Sequence, residues 1–330
     1  PSPALLAKLD KAIAELEPTN NPDTKTIDTL KPNAALNREL LLKRAKAMDS
    51  QADQLRRLAD LIHERSVQDA LMTEFKKEDA KVNLLHCALL LSKLDNVELN
   101  PAHYQKVVNE MAAEIRAELP KDANATRRLT ALGNYMFREN GYHGSRGDYY
   151  NRANSYINEV IDDREGIPIT LSVLYMELAR RLDLKAVGIG LPGHFVVAKV
   201  EEDKEPQLID VFENAKLLKR KDAEEIVRNF GGVPLQDEHL DPVDNRAIIV
   251  RMLRNLIGIS NNNETPEVVL RYLNTLILLQ PDSPQEYLNR ALMHMRLKQN
   301  IKAKADVLWL LEKDSPQFDR KRLMELYRRL

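Results

Sequence analysis

Three short runs of strand character lie close together in the middle of a chain whose other patterned segments are helical. The runs read KAVGIG, HFVVAKV and PQLIDVF and fall between residues 185 and 212. The charged segment EEDKE joins the last two runs, which predicts an antiparallel hairpin. Before and after this stretch, apolar residues recur at helical spacing. The sequence therefore predicts an α+β fold that is predominantly helical and carries one small antiparallel sheet.

The helical pattern predicts three regions. Residues 1–118 are expected to form a helical N-terminal domain, 119–245 the α+β core, and 246–330 a second helical region. In the last region the tripeptide DSP occurs at 282–284 and again at 314–316. This spacing is close to the period of tetratricopeptide-type repeats, which are helix–turn–helix units. We therefore expect tetratricopeptide-like (TPR-like) helical hairpins after the core.

Two features of the first region predict where its helices begin. The polar segment EPTNNPDTKTIDTLKPN (17–33) contains three prolines and is expected to be a surface loop. Farther on, Asn100 is followed by Pro101, which are residue types typical of an N-cap and of the first helical position. We therefore expect a helix to begin at that pair.

Charge, cysteine content and apolar runs exclude several classes of protein. The 49 basic and 50 acidic residues give a net charge of −1, so no overall field attracts nucleic acid or an anionic membrane. Cys87 is the single cysteine, which excludes a disulfide framework and a cysteine-rich zinc site. The histidines form no HxxxH or HxH pair, and no apolar run approaches the roughly 18 residues of a membrane span. We expect a cytoplasmic protein without metal or cofactor, although the start at Pro1 leaves a removed leader open.

A histidine heads the second strand run, directly after the turn LPG. If the last two runs pair as a hairpin, His194 and Asp210 lie near the same end on neighbouring strands. A carboxylate beside an imidazole fixes its tautomer and raises its basicity, as in a nucleophilic triad. A nucleophile at the start of the preceding helix would complete such a site. That helix begins at Pro168, with its apolar stripe at Leu171, Leu174, Tyr175, Leu178 and Leu182.

The order of helix, strand with histidine and strand with aspartate resembles the transglutaminase-like core. The segments NSYINEVIDDREGIPITLSVLYMELARRLDL, LPGHFVVAKV and LIDVF are similar in particular to the SirB-type transglutaminase-like family of bacterial proteins. The upstream LGNYMFRENGYHGSRGDYYNRANSYIN and the downstream MLRNLIGI fit as well, so the resemblance covers roughly residues 80–330. It implies a helical region before the core and tetratricopeptide-like helices after it.

The same resemblance implies that the catalytic cysteine is lost. Active relatives begin the long helix with a cysteine in a GxC motif, whereas SirB-type members generally have GIP, and here the lost position is Pro168. Cys87 lies in the apolar segment NLLHCALLLSKL, where a free cysteine behaves as a small hydrophobe. Thr170 and Ser172 are weak substitutes for the nucleophile. The first points about 200° around the helix from position 168, and the second lies one turn deeper.

Further residues are expected to border the cleft. The segment GYHGSRGDYY (141–150) lacks the strand and helix context of a phosphate loop, so we expect a flap that ends at Tyr150. Asn154 and Ser155 precede the helix YINEVI and either cross-link this flap or contact a ligand. Gly193 adjoins the histidine. After Asp210 the chain reads DVFENAKLL, where relatives tend to have proline and glycines, so we expect the loop after Asp210 to differ in shape from theirs.

The residues favour a non-catalytic, degenerate transglutaminase-like protein that binds a protein or peptide partner. The alternative is an amide or ester hydrolase or acyl transferase that uses His194 and Asp210 with water or a non-cysteine nucleophile. A structural scaffold without a working cleft is a third hypothesis. No nucleic-acid or membrane partner is expected, and the sequence indicates neither the ligand nor the oligomeric state.

Overall fold

The computed structural model describes residues 3–14, 24–201, 205–263, 265–313 and 315–330. The chain divides into two compact units, residues 1–63 and 64–330. The three regions predicted from the sequence have other boundaries and stay a prediction.

The first unit is helical. It contains α1 (Pro3–Ala14), α2 (Thr24–Leu30) and the first part of α3 (Ala34–Glu74). The predicted loop over 17–33 is wrong for residues 24–33, which are helical, whereas residues 17–23 lie outside the described residues. Pro32 does not break the chain's helical path because it stands in the first turn of a short 3₁₀ helix, where its missing N–H is not needed.

The second unit contains most of the helices, and asparagine side chains cap three of its described α-helices. Asn83, Asn100 and Asn124 each accept a hydrogen bond from a backbone N–H in the first turn of the helix that follows. The predicted helix start at Asn100 and Pro101 is thus confirmed. The helices are α4 (Leu84–Lys93), α5 (Pro101–Ala117), α6 (Ala125–Gly133), α7 (Ile157–Asp163), α8 (Pro168–Arg181), α9 (Arg220–Ile226), α10 (Asn245–Asn263), α11 (Pro266–Leu279), α12 (Pro284–Arg296), α13 (Asn300–Lys313) and α14 (Arg320–Arg329).

A five-stranded antiparallel sheet lies in the same unit, with strand order β6-β5-β4-β3-β7. The three predicted runs form β3 (Ala186–Ile189), β4 (Val196–Lys199) and β5 (Gln207–Asp210). The predicted hairpin is confirmed, because β4 and β5 pair antiparallel with Ala198 opposite Leu208. The sequence did not predict the edge strands β6 (Lys216–Leu218) and β7 (Pro242–Val243), nor a short parallel pair between β1 (His143–Gly144) and β2 (Glu165–Gly166). The α+β, predominantly helical fold class is confirmed.

Helix α8 forms the centre of the main core. The predicted apolar stripe from Leu171 to Leu182 is at most 1% exposed. The opposite face is buried as well, so α8 is enclosed on all sides rather than along one stripe. On β4, Val197 packs into this core, whereas Val196 and Ala198 pack into a second apolar cluster. The start of α8 and the strand ends therefore have fixed positions.

The C-terminal helices follow one another as packed neighbours, from α10 to α14. Their TPR-like character stays a prediction, and Asp314 of the second DSP lies outside the described residues. Nowhere in the described part of the chain does a helix have both the length and the apolar character needed to cross a membrane.

Candidate functional site

A tightly fitted turn holds the histidine at the head of β4. Gly193 has a φ angle of 75°, and a Cβ there would lie 2.5 Å from the carbonyl oxygen of Phe230. Both the conformation and the space therefore require glycine. The Arg251 guanidinium donates hydrogen bonds to the carbonyl oxygens of Leu191, at 2.9 Å, and His194, at 2.6 Å. Contacts on both sides thus fix the backbone at His194.

His194 and Asp210 form a buried pair. The imidazole Nε2 lies 3.0 Å from Asp210 Oδ2, and the two residues are 8% and 2% exposed. The antiparallel pairing of β4 with β5 brings them to the same end of the sheet, as the sequence predicts. The other carboxylate oxygen, Oδ1, accepts hydrogen bonds from the N–H groups of Phe212 and Glu213. The carboxylate is therefore held in place on both oxygens.

This contact sets the tautomer of the imidazole. An ionised carboxylate only accepts hydrogen bonds, so Nε2 of neutral His194 carries the proton and donates it to Asp210. Nδ1 makes no hydrogen bond to another residue in the described part of the chain. The lone pair of the neutral imidazole therefore lies on Nδ1.

A cleft of about 820 Å³ surrounds the pair and brings together five of the residues predicted for the site. These are Tyr150, Pro168, Gly193, His194 and Asp210. Pro168 is the first residue of α8. The position that the sequence resemblance gives to the lost nucleophile therefore lines the same cleft as the imidazole.

The other four predicted site residues are buried and are not among the described residues that line the cleft. Thr170 donates its hydroxyl proton to the Asn154 carbonyl at 2.7 Å. Asn154 Nδ2 donates to the Asp148 carbonyl at 2.8 Å, so this side chain cross-links the 141–150 segment. The Ser155 and Ser172 hydroxyls have no hydrogen-bond partner among the described residues. Their proposed roles toward a ligand stay predictions.

Cys87 is fully buried in α4, as predicted. Burial raises the pKa of its thiol to about 12, so the thiolate is scarce at neutral pH. This cysteine does not line the cleft and cannot replace the nucleophile.

Aromatic side chains are concentrated around the cleft. Four of the chain's 17 aromatic residues line it, although aromatics make up only 5% of the sequence. Ring centroids lie 5.4 Å apart from Tyr150 to Tyr149, 6.5 Å from Tyr149 to Phe212, and 6.1 Å from Phe212 to His194. Phe230 stacks on the other side of His194 at 6.1 Å. Five rings therefore follow one another along the cleft.

Sequence reasoning missed Ser145 and Phe230. Ser145 is fully buried, lines the cleft, and has a hydroxyl without a hydrogen-bond partner in the described chain. Its backbone N–H donates to the Gly166 carbonyl, which places it beside the segment that leads into α8. The signal available for Phe230 is the sequence NFGG, in which an aromatic residue precedes two glycines.

Acidic side chains outnumber basic ones in the cleft. Its walls include two cations, Arg146 and Lys216, and four carboxylates, Asp210, Glu213, Asp222 and Glu225. No group of three or more His, Cys, Asp or Glu side chains within the described ranges could hold a metal ion.

Comparisons with known proteins agree with this geometry. Residues 102–254, which include α8 and the sheet, match the model of the Transglutaminase-like superfamily. A UPF0162 protein of Xylella fastidiosa (strain 9a5c) is 29% identical over 240 residues, which cover 71% of this chain and 85% of that protein. Protein SirB1 of Salmonella typhimurium is 27% identical over 210 residues, or 63% of this chain and 76% of the relative.

A more distant similarity reaches eukaryotic proteins. F-box only protein 21 of Homo sapiens is 26% identical over 179 residues, which cover 51% of this chain and 28% of that protein. Residues 102–254, which match the family model, contain the imidazole–carboxylate pair and the head of α8, so the fold, the site and the family model agree. Residues 102–254 therefore carry a transglutaminase-like domain, and the chain is similar to SirB-type proteins.

Proposed function

We propose that the protein is a non-catalytic member of its family and that the cleft around His194 binds a protein or peptide segment. The observation that carries this proposal is Pro168, which begins α8 on the cleft wall. Its side chain holds neither a thiol nor a hydroxyl, so nucleophilic attack from this position is chemically impossible. The imidazole and its carboxylate partner stay in place without the group that they would activate.

The lining of the cleft supports a binding role. Tyr150 and Phe230 are 73% and 69% exposed. Large apolar rings that face solvent around a concave site are typical of recognition surfaces, because a ligand removes them from water. The space of about 820 Å³ is in the range of ligand clefts.

The test is a peptide array probed with the wild-type protein and with the double variant Tyr150→Ala/Phe230→Ala. Both side chains are exposed, so their removal spares the core. Ile301→Ala is the matched control, since Ile301 is 87% exposed on α13 and does not line the cleft. We expect the wild type and the control to bind the same peptides and the double variant to lose them. Equal binding by all three proteins, or no peptide bound by the wild type, would overturn the proposal.

A second function, hydrolysis of an amide or ester, is favoured by one observation. The His194–Asp210 pair is intact, and Ser145 lines the same cleft with a buried hydroxyl that has no partner among the described residues. In this alternative, His194 acts as the base for water or for Ser145. It requires a pH-dependent activity that His194→Ala abolishes while the fold stays intact. Turnover that Ser145→Ala also abolishes would identify the hydroxyl as the nucleophile.

A further inference from the structure

One wall of the cleft is a single helical face. Helix α9 continues into a π-helical turn over Val227–Gly231. Asp222, Glu225, Ile226 and Asn229 follow one another at the i, i+3, i+4 and i+7 positions, and all four line the cleft. This face therefore presents two carboxylates to a ligand.

Of the cleft's carboxylates, Glu225 is the one without a hydrogen bond or ion pair among the described residues. Asp210 is bonded to His194, Glu213 to Arg146, and Asp222 to the backbone N–H of Lys219. Glu225 is exposed at the surface of α9. Its charge is therefore available to a ligand at no cost in broken contacts.

The cleft already contains one cation held by a ring and a carboxylate. The Arg146 guanidinium lies over the Phe212 ring, 5.9 Å from its centroid. It also donates to both oxygens of Glu213, at 2.7 and 2.6 Å. An aromatic face and a carboxylate together bind a guanidinium well. The exposed ring of Phe230 and the carboxylate of Glu225 line the same wall of the cleft. This wall therefore offers a second aromatic face and a second carboxylate.

A buried hydroxyl gives an independent indication of a ligand. Ser145 is fully buried at the cleft, and its Oγ has no partner in the described chain. An unsatisfied buried hydroxyl costs free energy that a bound polar group recovers. A peptide offers such groups in its backbone N–H and C=O.

We propose that the cleft recognises the guanidinium or ammonium of a basic residue in the peptide it binds. The cation pairs with Glu225 and contacts the exposed rings, while Ser145 bonds the peptide backbone. This inference rests on the proposed peptide-binding function and names the chemistry of the partner. Net negative charge along the lining opposes phosphate groups, so a single-stranded nucleic acid stacked on the rings is disfavoured.

The experiment uses the peptides recovered on the array. We expect arginine and lysine to be enriched among them. In fluorescence anisotropy titrations, replacing the basic residue of the best peptide by glutamine should weaken binding roughly tenfold. Glu225→Gln should weaken binding of the basic peptide by a similar factor and leave the glutamine peptide unchanged. Glu225→Lys should reverse the preference toward a glutamate peptide.

Glu224→Gln is the matched control. Glu224 is the preceding residue on α9, pairs with Arg220, and does not line the cleft. The Glu224→Gln variant should bind the basic peptide with the affinity of the wild type. Array peptides without enrichment for basic residues, or a Glu225→Gln affinity equal to that of the wild type, would refute this inference and leave peptide binding standing. If the wild-type protein binds no peptide on the array, both proposals are refuted. Tighter binding of single-stranded oligouridine than of any peptide would assign the rings to nucleic acid instead.

Discussion

Pro168 and His194 line one cleft, the proline as the first residue of α8 and the imidazole at the head of β4. Two different constraints bring them together. The core fixes α8 on all sides, and the Gly193 turn fixes the imidazole. The cleft thus keeps a fixed geometry around the imidazole and Pro168. The following predictions test the contacts that maintain it.

The close fit of Gly193 gives a prediction about stability. Gly193→Ala adds a Cβ that overlaps the Phe230 carbonyl and also strains a left-handed backbone. Gly141→Ala is the matched control, since Gly141 has a φ angle of 69° but open space around its Cβ position. We expect the control to lose about 1 kcal/mol of unfolding free energy and Gly193→Ala about 2 kcal/mol more. Urea unfolding of the two variants measures the difference. Equal losses would show that Phe230 does not press on the turn.

The buried carboxylate gives a second prediction. Asp210→Ala removes the acceptor of His194 Nε2 and of two backbone N–H groups, so we expect a loss of roughly 2–4 kcal/mol in unfolding free energy. Glu213→Ala breaks an exposed ion pair with Arg146 and should cost less than about 1 kcal/mol. Denaturant unfolding of both variants checks this order. A loss for Asp210→Ala no larger than for Glu213→Ala would contradict the buried pair.

A half-buried histidine outside the cleft makes stability depend on pH. Burial lowers the pKa of His86 below its ordinary value, and its Nδ1 accepts a hydrogen bond from Gln105 Nε2 at 3.1 Å. Below about pH 6.5 the unfolded chain takes up a proton at this residue that the folded chain resists, so stability falls as the pH falls. His86→Gln should flatten this dependence.

Unfolding free energies at several pH values between about 7.5 and 5 measure this slope. His103→Gln serves as the control for removing an exposed imidazole. An unchanged slope in His86→Gln would show that the lowered pKa of His86 does not contribute to the pH dependence of stability.

Local patterns were enough to predict some of the site. His194 and Asp210 could be paired from the sequence because a charged turn between two short strand-like runs predicts a hairpin. The start of α5 was equally accessible, since its N-cap and proline are local signals.

The rest depends on contacts distant in sequence. Strand β7 has two residues, one of them proline, and is a strand only because β3 lies beside it. Ser145 reaches the cleft through the pairing of β1 with β2, each of two residues. Phe230 lies on His194 because Gly193 allows its backbone to approach. No periodicity marks such contacts in advance.

The most direct measurement is the alkylation of Pro168→Cys by iodoacetamide as a function of pH, followed by intact mass spectrometry. A thiol at the start of α8, in the cleft of His194, should have a pKa below the usual value of about 8.5, and His194→Ala in the same variant should raise it. The wild type should stay unmodified, because Cys87 is buried and its thiol has a raised pKa. An introduced thiol with an ordinary pKa that His194→Ala does not change would contradict the assignment of Pro168 to the lost nucleophile position.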